Sequence, residues 1–366
     1  MADDTNDERF VRAAFGAKNR NRLIEEYFRG QSSIGTASEV DDITKDRIPS
    51  SSAWEHVYRL LLWTDQTTGL AHCYESDKSQ PGKNWYARSL AFHDWVSTAL
   101  HSTPKTLADD IDWLFRKATA DLALEVMRNA QRVGAAASRQ RAPFEGRGFP
   151  QPGEDPELIS IVRDVLSENL SSDPSPDKWQ LLVQRIRQYL ALENKRKNLV
   201  GEGFEDVLSY VIRRTCVGES IEVGTRRLLH DIPGFNRERR GEKPNKVDVA
   251  VVRPGMRTLV TAKWSVRADR ERQFASDFGD YVNAESDGSP FEYVFVTNEF
   301  DPARLMRACE KLAVNAPMFT HVVHINTDAL LATYGASDEP TMRKVIEYIN
   351  SGRLISLGDW LDRLRS

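Results

Sequence analysis

Cysteine is scarce in this chain. The three present, Cys73, Cys216 and Cys309, are far apart and odd in number, and no Cys-x-x-Cys pair occurs. A disulfide framework and a zinc ribbon are therefore not expected. Long apolar runs are lacking too: no stretch approaches the roughly 18 residues of a membrane span, so no membrane partner is expected. Nor is there an excess of positive charge. Fifty Lys and Arg against 54 Asp and Glu leave a formal charge of −4. That excludes a globally basic nucleic-acid binder but leaves room for local basic patches. The opening residues, Met-Ala-Asp-Asp-Thr-Asn-Asp-Glu, carry no signal-peptide pattern, and the cytoplasm is the expected compartment. No internal repeat is found. What the chain does have is an ordinary globular composition, 40% hydrophobic and 28% charged over 366 residues. This is enough for an ample core and two or three domains.

The N-terminal part reads as helical. A helix is expected over Glu8–Arg29, a polar loop over 31–52, and further helices from Ala53 to about Val133 on the spacing of Trp54, Val57, Tyr58, Leu61, Leu90, Trp95, Leu114 and Val126. His56, His72, His93, His101 and Cys73 fall there without metal-ligand spacing and read as packing or surface residues. The Gly-, Pro- and Arg-rich stretch 134–155 is the expected boundary between an accessory domain, 1–150, and a second domain, 156–366. The alternative for its Arg139, Arg141 and Arg147 is contact with a nucleic-acid backbone. Asp155-Pro156 opens a helix with Leu158, Ile161, Val162 and Val165 on its core side. A helix over 177–193 follows, then the charge run Lys195-Arg196-Lys197. The next helix, Gly201–Ile212, carries Glu202 and Glu205.

The second domain is organised around a β-hairpin. Lys246–Val252 and Arg257–Lys263 are rich in Val, Leu and Thr and flank a Pro-Gly turn. Antiparallel pairing brings Asp248 and Lys263 to the same end. A helix is expected to begin near Asp269 and to pack through Phe274, Phe278, Tyr281 and Val282, with Asp277 on or beside that face. A carboxylate there is costly unless something neutralises it. Phe291–Thr297 and Phe319–Ile325 read as buried strands separated by a helix over Ala303–Leu312, which implies parallel pairing and a central mixed sheet. His321 and His324, three apart on a strand, face opposite sides. Two helices, Thr341–Asn350 and Ser356–Arg365, close the chain, with Trp360 and Leu361 packing inward.

This block resembles the active site of type II restriction endonucleases of the PD-(D/E)xK fold, and within them the CCGG group. Thr261 stands two before Lys263, where most of the fold has an acid, and Asp277 stands fourteen after it, where the group carries its relocated second acid. The group usually has Glu there, and the proline before the first acid is replaced by Val247. Arg267-Ala268-Asp269-Arg270 stands at the spacing of the group's base-reading Arg-x-Asp-Arg element. Arg270-Glu271-Arg272 matches, in a second register, the Arg-Glu-Arg element of relatives whose CC and GG halves are separated by one base. The resemblance covers about thirty residues closely and 200–340 in element order.

The resemblance implies an α/β fold: a restriction-endonuclease-like core with a central mixed β-sheet flanked by helices, beside the N-terminal helical domain. It implies Mg2+ held by Asp248 and Asp277, with Glu205 nearby, Lys263 assisting the attacking water, and Thr261 orienting a neighbour. It implies Arg267, Asp269, Arg270 and Arg272 as readers of double-stranded DNA, since Arg donates twice to guanine and an acid accepts from cytosine N4. A palindromic CCGG or CCNGG core, cut on both strands, implies a homodimer, and several relatives go on to homotetramers. Two other readings stay open: a nuclease-fold protein that binds DNA without cutting it, and a repair or recombination nuclease directed by structure.

Overall fold

The computed structural model describes residues 14–32, 47–62, 64–65, 70–71, 84–148, 155–166, 172–236, 245–266 and 271–366. The expected reading segment Arg267–Arg270, the basic run 237–243, His72 and Cys73 lie outside the described residues.

In chain order the elements are α1 (Ala17–Ser32), α2 (Ala53–Leu61), β1 (Thr64–Asp65), β2 (Leu70–Ala71), α3 (Asn84–Ala99), α4 (Pro104–Asp110), α5 (Trp113–Arg141), α6 (Pro156–Leu166) and α7 (Pro176–Thr215). Then come β3 (Glu222–Leu228), β4 (Lys246–Arg253), β5 (Met256–Lys263), α8 (Glu271–Ala284), β6 (Phe291–Thr297), α9 (Pro302–Glu310), β7 (Leu312–Ala313), β8 (Ala316–Pro317) and β9 (His321–His324). The chain closes with α10 (Thr327–Tyr334), α11 (Pro340–Asn350), β10 (Leu354–Ser356) and α12 (Leu357–Arg365).

The chain divides into two compact units, residues 1–22 with 116–199, and residues 23–115 with 200–366. This differs from the expected single boundary at 134–155. The aromatic-rich helices α2 and α3 join the sheet unit: Tyr58 donates to Asn298 Oδ1 at 2.9 Å, and Phe92 meets Phe300 at 4.7 Å between ring centroids. Helix α5 runs on through the alanines to Arg141, because Gly134 is one weak residue among strong helix formers. In the first unit, Asp155 caps α6 by accepting from Leu158 N–H at 3.0 Å, as expected. Its apolar side is not a core side, however: none of the helix is buried, and Val165 is 70% exposed.

The second unit holds one mixed six-stranded sheet in the order β10-β9-β6-β5-β4-β3. Strands β3, β4 and β5 are antiparallel, while β5, β6, β9 and β10 are parallel. The mixed sheet flanked by helices is the α/β architecture the sequence predicts. Gly255, at φ +76°, closes the β4–β5 hairpin where Arg253 pairs with Met256. On β6 the alternate residues Phe291, Tyr293 and Phe295 meet Phe278, Tyr281 and Phe274 of α8. Val294 and Val296 on the other face are buried as well. Val282 departs from the expected packed face and is exposed. Trp360 and Leu361 are buried, and His321 and His324 do take opposite faces.

Two corrections bear on the site. The predicted helices 177–193 and 201–212 are one 40-residue helix, α7. The Lys195-Arg196-Lys197 run sits inside it, with Arg196 buried. Gly201 and Gly203 each weaken a helix by about 1 kcal/mol, but Leu199, Phe204, Leu208 and Val211 are all buried, and that packing prevails. Strand β3 lies in a stretch with no strand prediction, because an edge strand with two arginines lacks the alternating pattern.

Candidate active site

The pleat explains why the key side chains share a face. Val249 pairs with Val260, so Asp248 stands opposite Thr261. Lys263 is two residues on from Thr261 and therefore points the same way. Thr261 pairs with Phe295, whose ring meets Phe274, so this is the face that α8 covers. Helix α8 carries Asp277.

Three donors converge on one oxygen of Asp248. Lys263 Nζ lies 2.6 Å from Oδ2, the Ala262 N–H 2.9 Å and Thr261 Oγ1 3.3 Å. Among the described residues no donor meets Oδ1. The pair is partly open to solvent, with Asp248 20% and Lys263 30% exposed. A lone surface pair of this kind contributes about 1 kcal/mol or less. Its backbone and hydroxyl donors matter more, because they fix the carboxylate's rotation.

Asp277 is half-buried, and its carboxyl is pushed up to about 6, first by burial and then by the negative charge of Asp248; Lys263 pulls the other way. Glu205 on α7 is buried and pushed up to about 7, again by burial and then by Asp248, with Arg226 and Lys263 opposing. Glu202, the alternative on the same helix, is exposed. The structure therefore brings Asp248, Thr261, Lys263, Asp277 and Glu205 into one electrostatic neighbourhood. Arg272 is exposed on the first turn of α8, and Arg267, Asp269 and Arg270 are outside the described residues.

Two neighbours of these side chains, Arg226 and Asp206, have no sequence prediction behind them. Thr225 pairs with Val249 and Arg227 with Val247, so Arg226 stands opposite Asp248 on β3. Its φ of +51° is left-handed, which costs a non-glycine residue about 1 kcal/mol or more. Arg226 Nη1 donates to Glu205 Oε2 at 2.7 Å and Nη2 donates to Asp206. The guanidinium thus bridges the adjacent acids of α7. Nothing local in the sequence announces this contact; only the consecutive acids Glu205-Asp206 and the paired Arg226-Arg227 hint at it.

A hard divalent cation fits this donor set. All candidate ligands are oxygens, one oxygen of Asp248 is open, and the paired acids Asp248 and Asp277 repel one another without a full countercharge. Among the described residues no three His, Cys, Asp or Glu side chains form a ready-made metal cluster. Magnesium is commonly held by one or two carboxylates with water and substrate oxygens completing the shell, so a pair suffices.

No family model matches the chain, and no curated protein matches it. Among solved structures, the restriction endonuclease PspGI in complex with substrate DNA aligns with 14% identity and a TM-score of 0.36, over 83% of this chain and 96% of that one. Metal-depleted Ecl18kI in complex with uncleaved, modified DNA aligns with 11% identity and a TM-score of 0.37, over 97% of this chain and 82% of that one. Among the described residues no helix is long and apolar enough to cross a membrane.

Proposed function

We propose that the chain is a divalent-metal-dependent deoxyribonuclease of the type II restriction class, acting on double-stranded DNA at a palindromic site with a CCGG or CCNGG core. The observation that carries this reading is the convergence of Lys263, Ala262 N–H and Thr261 on a single oxygen of Asp248, with a second carboxylate, Asp277, near enough to feel its charge. That arrangement leaves Asp248 Oδ1 without a donor among the described residues, with the Lys263 ammonium beside the carboxylate.

In this reading Asp248 and Asp277 hold Mg2+, which when bound supplies Lewis-acid stabilisation of phosphate oxygens and a more acidic water. Lys263 contributes a fixed positive charge where negative charge develops on the phosphate in the transition state. Thr261 and the Ala262 N–H keep the Asp248 carboxylate from rotating. Glu205, held by Arg226, adds a third acid whose raised proton affinity suits it to accept a proton from water near neutral pH. Arg267, Asp269 and Arg270, between the catalytic lysine and α8, are the proposed base readers, with Arg272 beside them. Reading a palindrome with one such element calls for two chains related by a two-fold axis, so the working form is a homodimer or a tetramer built from it.

The test is incubation of supercoiled plasmid with Mg2+, with EDTA, and with the Asp248→Ala chain. Linear products that appear only for the native chain with Mg2+ support the reading. Sequence-specific binding without cutting moves the assignment to the binding-only protein.

A further inference from the structure

One buried hydroxyl under α8 has no part in the roles given above. Tyr293 pairs with Leu259, two residues before Thr261, so it shares the face of Asp248, Thr261 and Lys263. Its ring is held by Phe278 and Tyr281 of α8, at 5.8 and 5.4 Å between centroids. These are the residue after Asp277 and the one a turn on from it, so Tyr293 lies beneath the stretch that carries the second acid. The side chain is 1% exposed, and among the described residues no group meets its hydroxyl at hydrogen-bonding distance and angle. A buried hydroxyl without a partner is costly, and phenylalanine fills the same space without that cost.

The neighbours of this hydroxyl are those of the site. The Thr261 hydroxyl is close enough to act on it as a hydrogen-bonding group, and Asp277 and Asp248 are close enough for their charge to act. Burial first, then Tyr281 and these acids, push the Tyr293 hydroxyl well above the usual tyrosine range, so it remains a donor. The direction of a chain through Thr261 is fixed by what each group can do. A carboxylate only accepts, so Thr261 directs its single proton to Asp248 Oδ2 and turns its lone pairs elsewhere. Tyr293 can join only by donating to Thr261 Oγ1. The Thr261–Asp248 step, at 3.3 Å, is long for O–H···O, and a donor behind Thr261 polarises its hydroxyl and strengthens that step.

We propose that Tyr293 is a positioning residue: its hydroxyl donates to Thr261 as the site takes up its cation, and through Thr261 it fixes the Asp248 carboxylate. Hydrogen bonds of catalytic groups are commonly loose in the empty site and tighten on loading. This rests on the reading of Asp248 as a cation ligand proposed above.

The experiment measures each full chain twice: melting temperature against Mg2+ without DNA, and plasmid cleavage at saturating Mg2+. The chains are the native one, Tyr293→Phe, Thr261→Val, Thr261→Ser, and Tyr293→Phe with Thr261→Val; Asp248→Ala shows which part of the Mg2+ shift belongs to this site. Tyr293→Phe keeps the ring packing, so its metal-free melting temperature is expected to equal or exceed the native one. Its Mg2+ midpoint is expected to rise and its cleavage to slow, each by about two- to tenfold. Thr261→Val loses at least as much, and Thr261→Ser, which keeps the hydroxyl, loses little. The double variant matches Thr261→Val alone, because the chain is already broken there. A Tyr293→Phe chain with the native midpoint and rate overturns the proposal. So does a double variant whose losses multiply, or a metal-free melting temperature that falls while the midpoint stays. A native chain that shifts with Mg2+ through Asp248 but cuts no DNA overturns the nuclease function alone, and the midpoints still decide the role of Tyr293. A native chain with no such shift overturns both.

Discussion

Asp248 Oδ2 gathers an ammonium, a backbone N–H and a hydroxyl, so each neighbour can be removed separately. Lys263→Ala leaves the carboxylate oriented by the other two donors but removes the fixed positive charge. Cleavage is expected to fall by about 10²-fold or more while thermal stability changes little. Plasmid nicking rates beside melting curves check this. Asp277 and Glu205 give a pH prediction. Their folded values, about 6 and about 7, lie above the ordinary carboxylate values of 3.8 and 4.5. Between those limits the folded state holds more protons than the unfolded one, so the metal-free protein loses stability as pH rises from about 4 to 7. Asp277→Asn removes part of that loss and is expected to raise the melting temperature at pH 8 by a few degrees while abolishing Mg2+-dependent cleavage. Differential scanning fluorimetry at pH 5 and pH 8 is the check. At this scale the sequence is informative where distance along the chain is short. Asp248 and Lys263 follow from a two-residue turn and the strand period, and Asp277 from helical spacing on the same face. Arg226 does not follow, because its partners lie some twenty residues back on another element and its left-handed backbone is a property of the folded edge.

The elements that hold the site are an edge strand, a tight hairpin and two helices. Arg226 offers a clean separation of strain from contact. Arg226→Gly and Arg226→Ala both free Glu205 and Asp206, but only glycine accepts φ +51° without cost. Glycine is therefore expected to be the more stable of the two by about 1 kcal/mol, measured by urea denaturation, and equally impaired in cleavage. At this scale the hairpin, β6, α9 and the closing helices were legible, since buried parallel strands and capped helices write regular patterns. The unbroken α7 was not, because two glycines and a charge run mimic a break that packing of Leu199, Phe204 and Leu208 overrides. Strands β3, β9 and β10 show how differently strands are marked: β9 lies within the apolar run Phe319–Ile325, while β3 and β10 are edges whose pairing is settled by their neighbours.

For the whole molecule, the expected mixed α/β architecture holds, and the N-terminal helices α2 and α3 belong to the sheet unit through Tyr58 and Phe92. Sequence patterns missed this, because an aromatic face predicts burial without naming what it is buried against. Under the proposed function two chains share one palindromic duplex. Sedimentation of the protein with a single-site duplex and Ca2+ is expected to give two chains per duplex, with binding that weakens steeply as salt rises. The central claim is that the Asp248–Lys263 site cuts DNA at a defined sequence. The most direct measurement is digestion of a random-sequence plasmid library with Mg2+, beside the Asp248→Ala chain, followed by sequencing of the ends. The account predicts ends that share a palindromic CCGG or CCNGG core and vanish in the variant; ends without a common sequence, or ends that persist in the variant, contradict it.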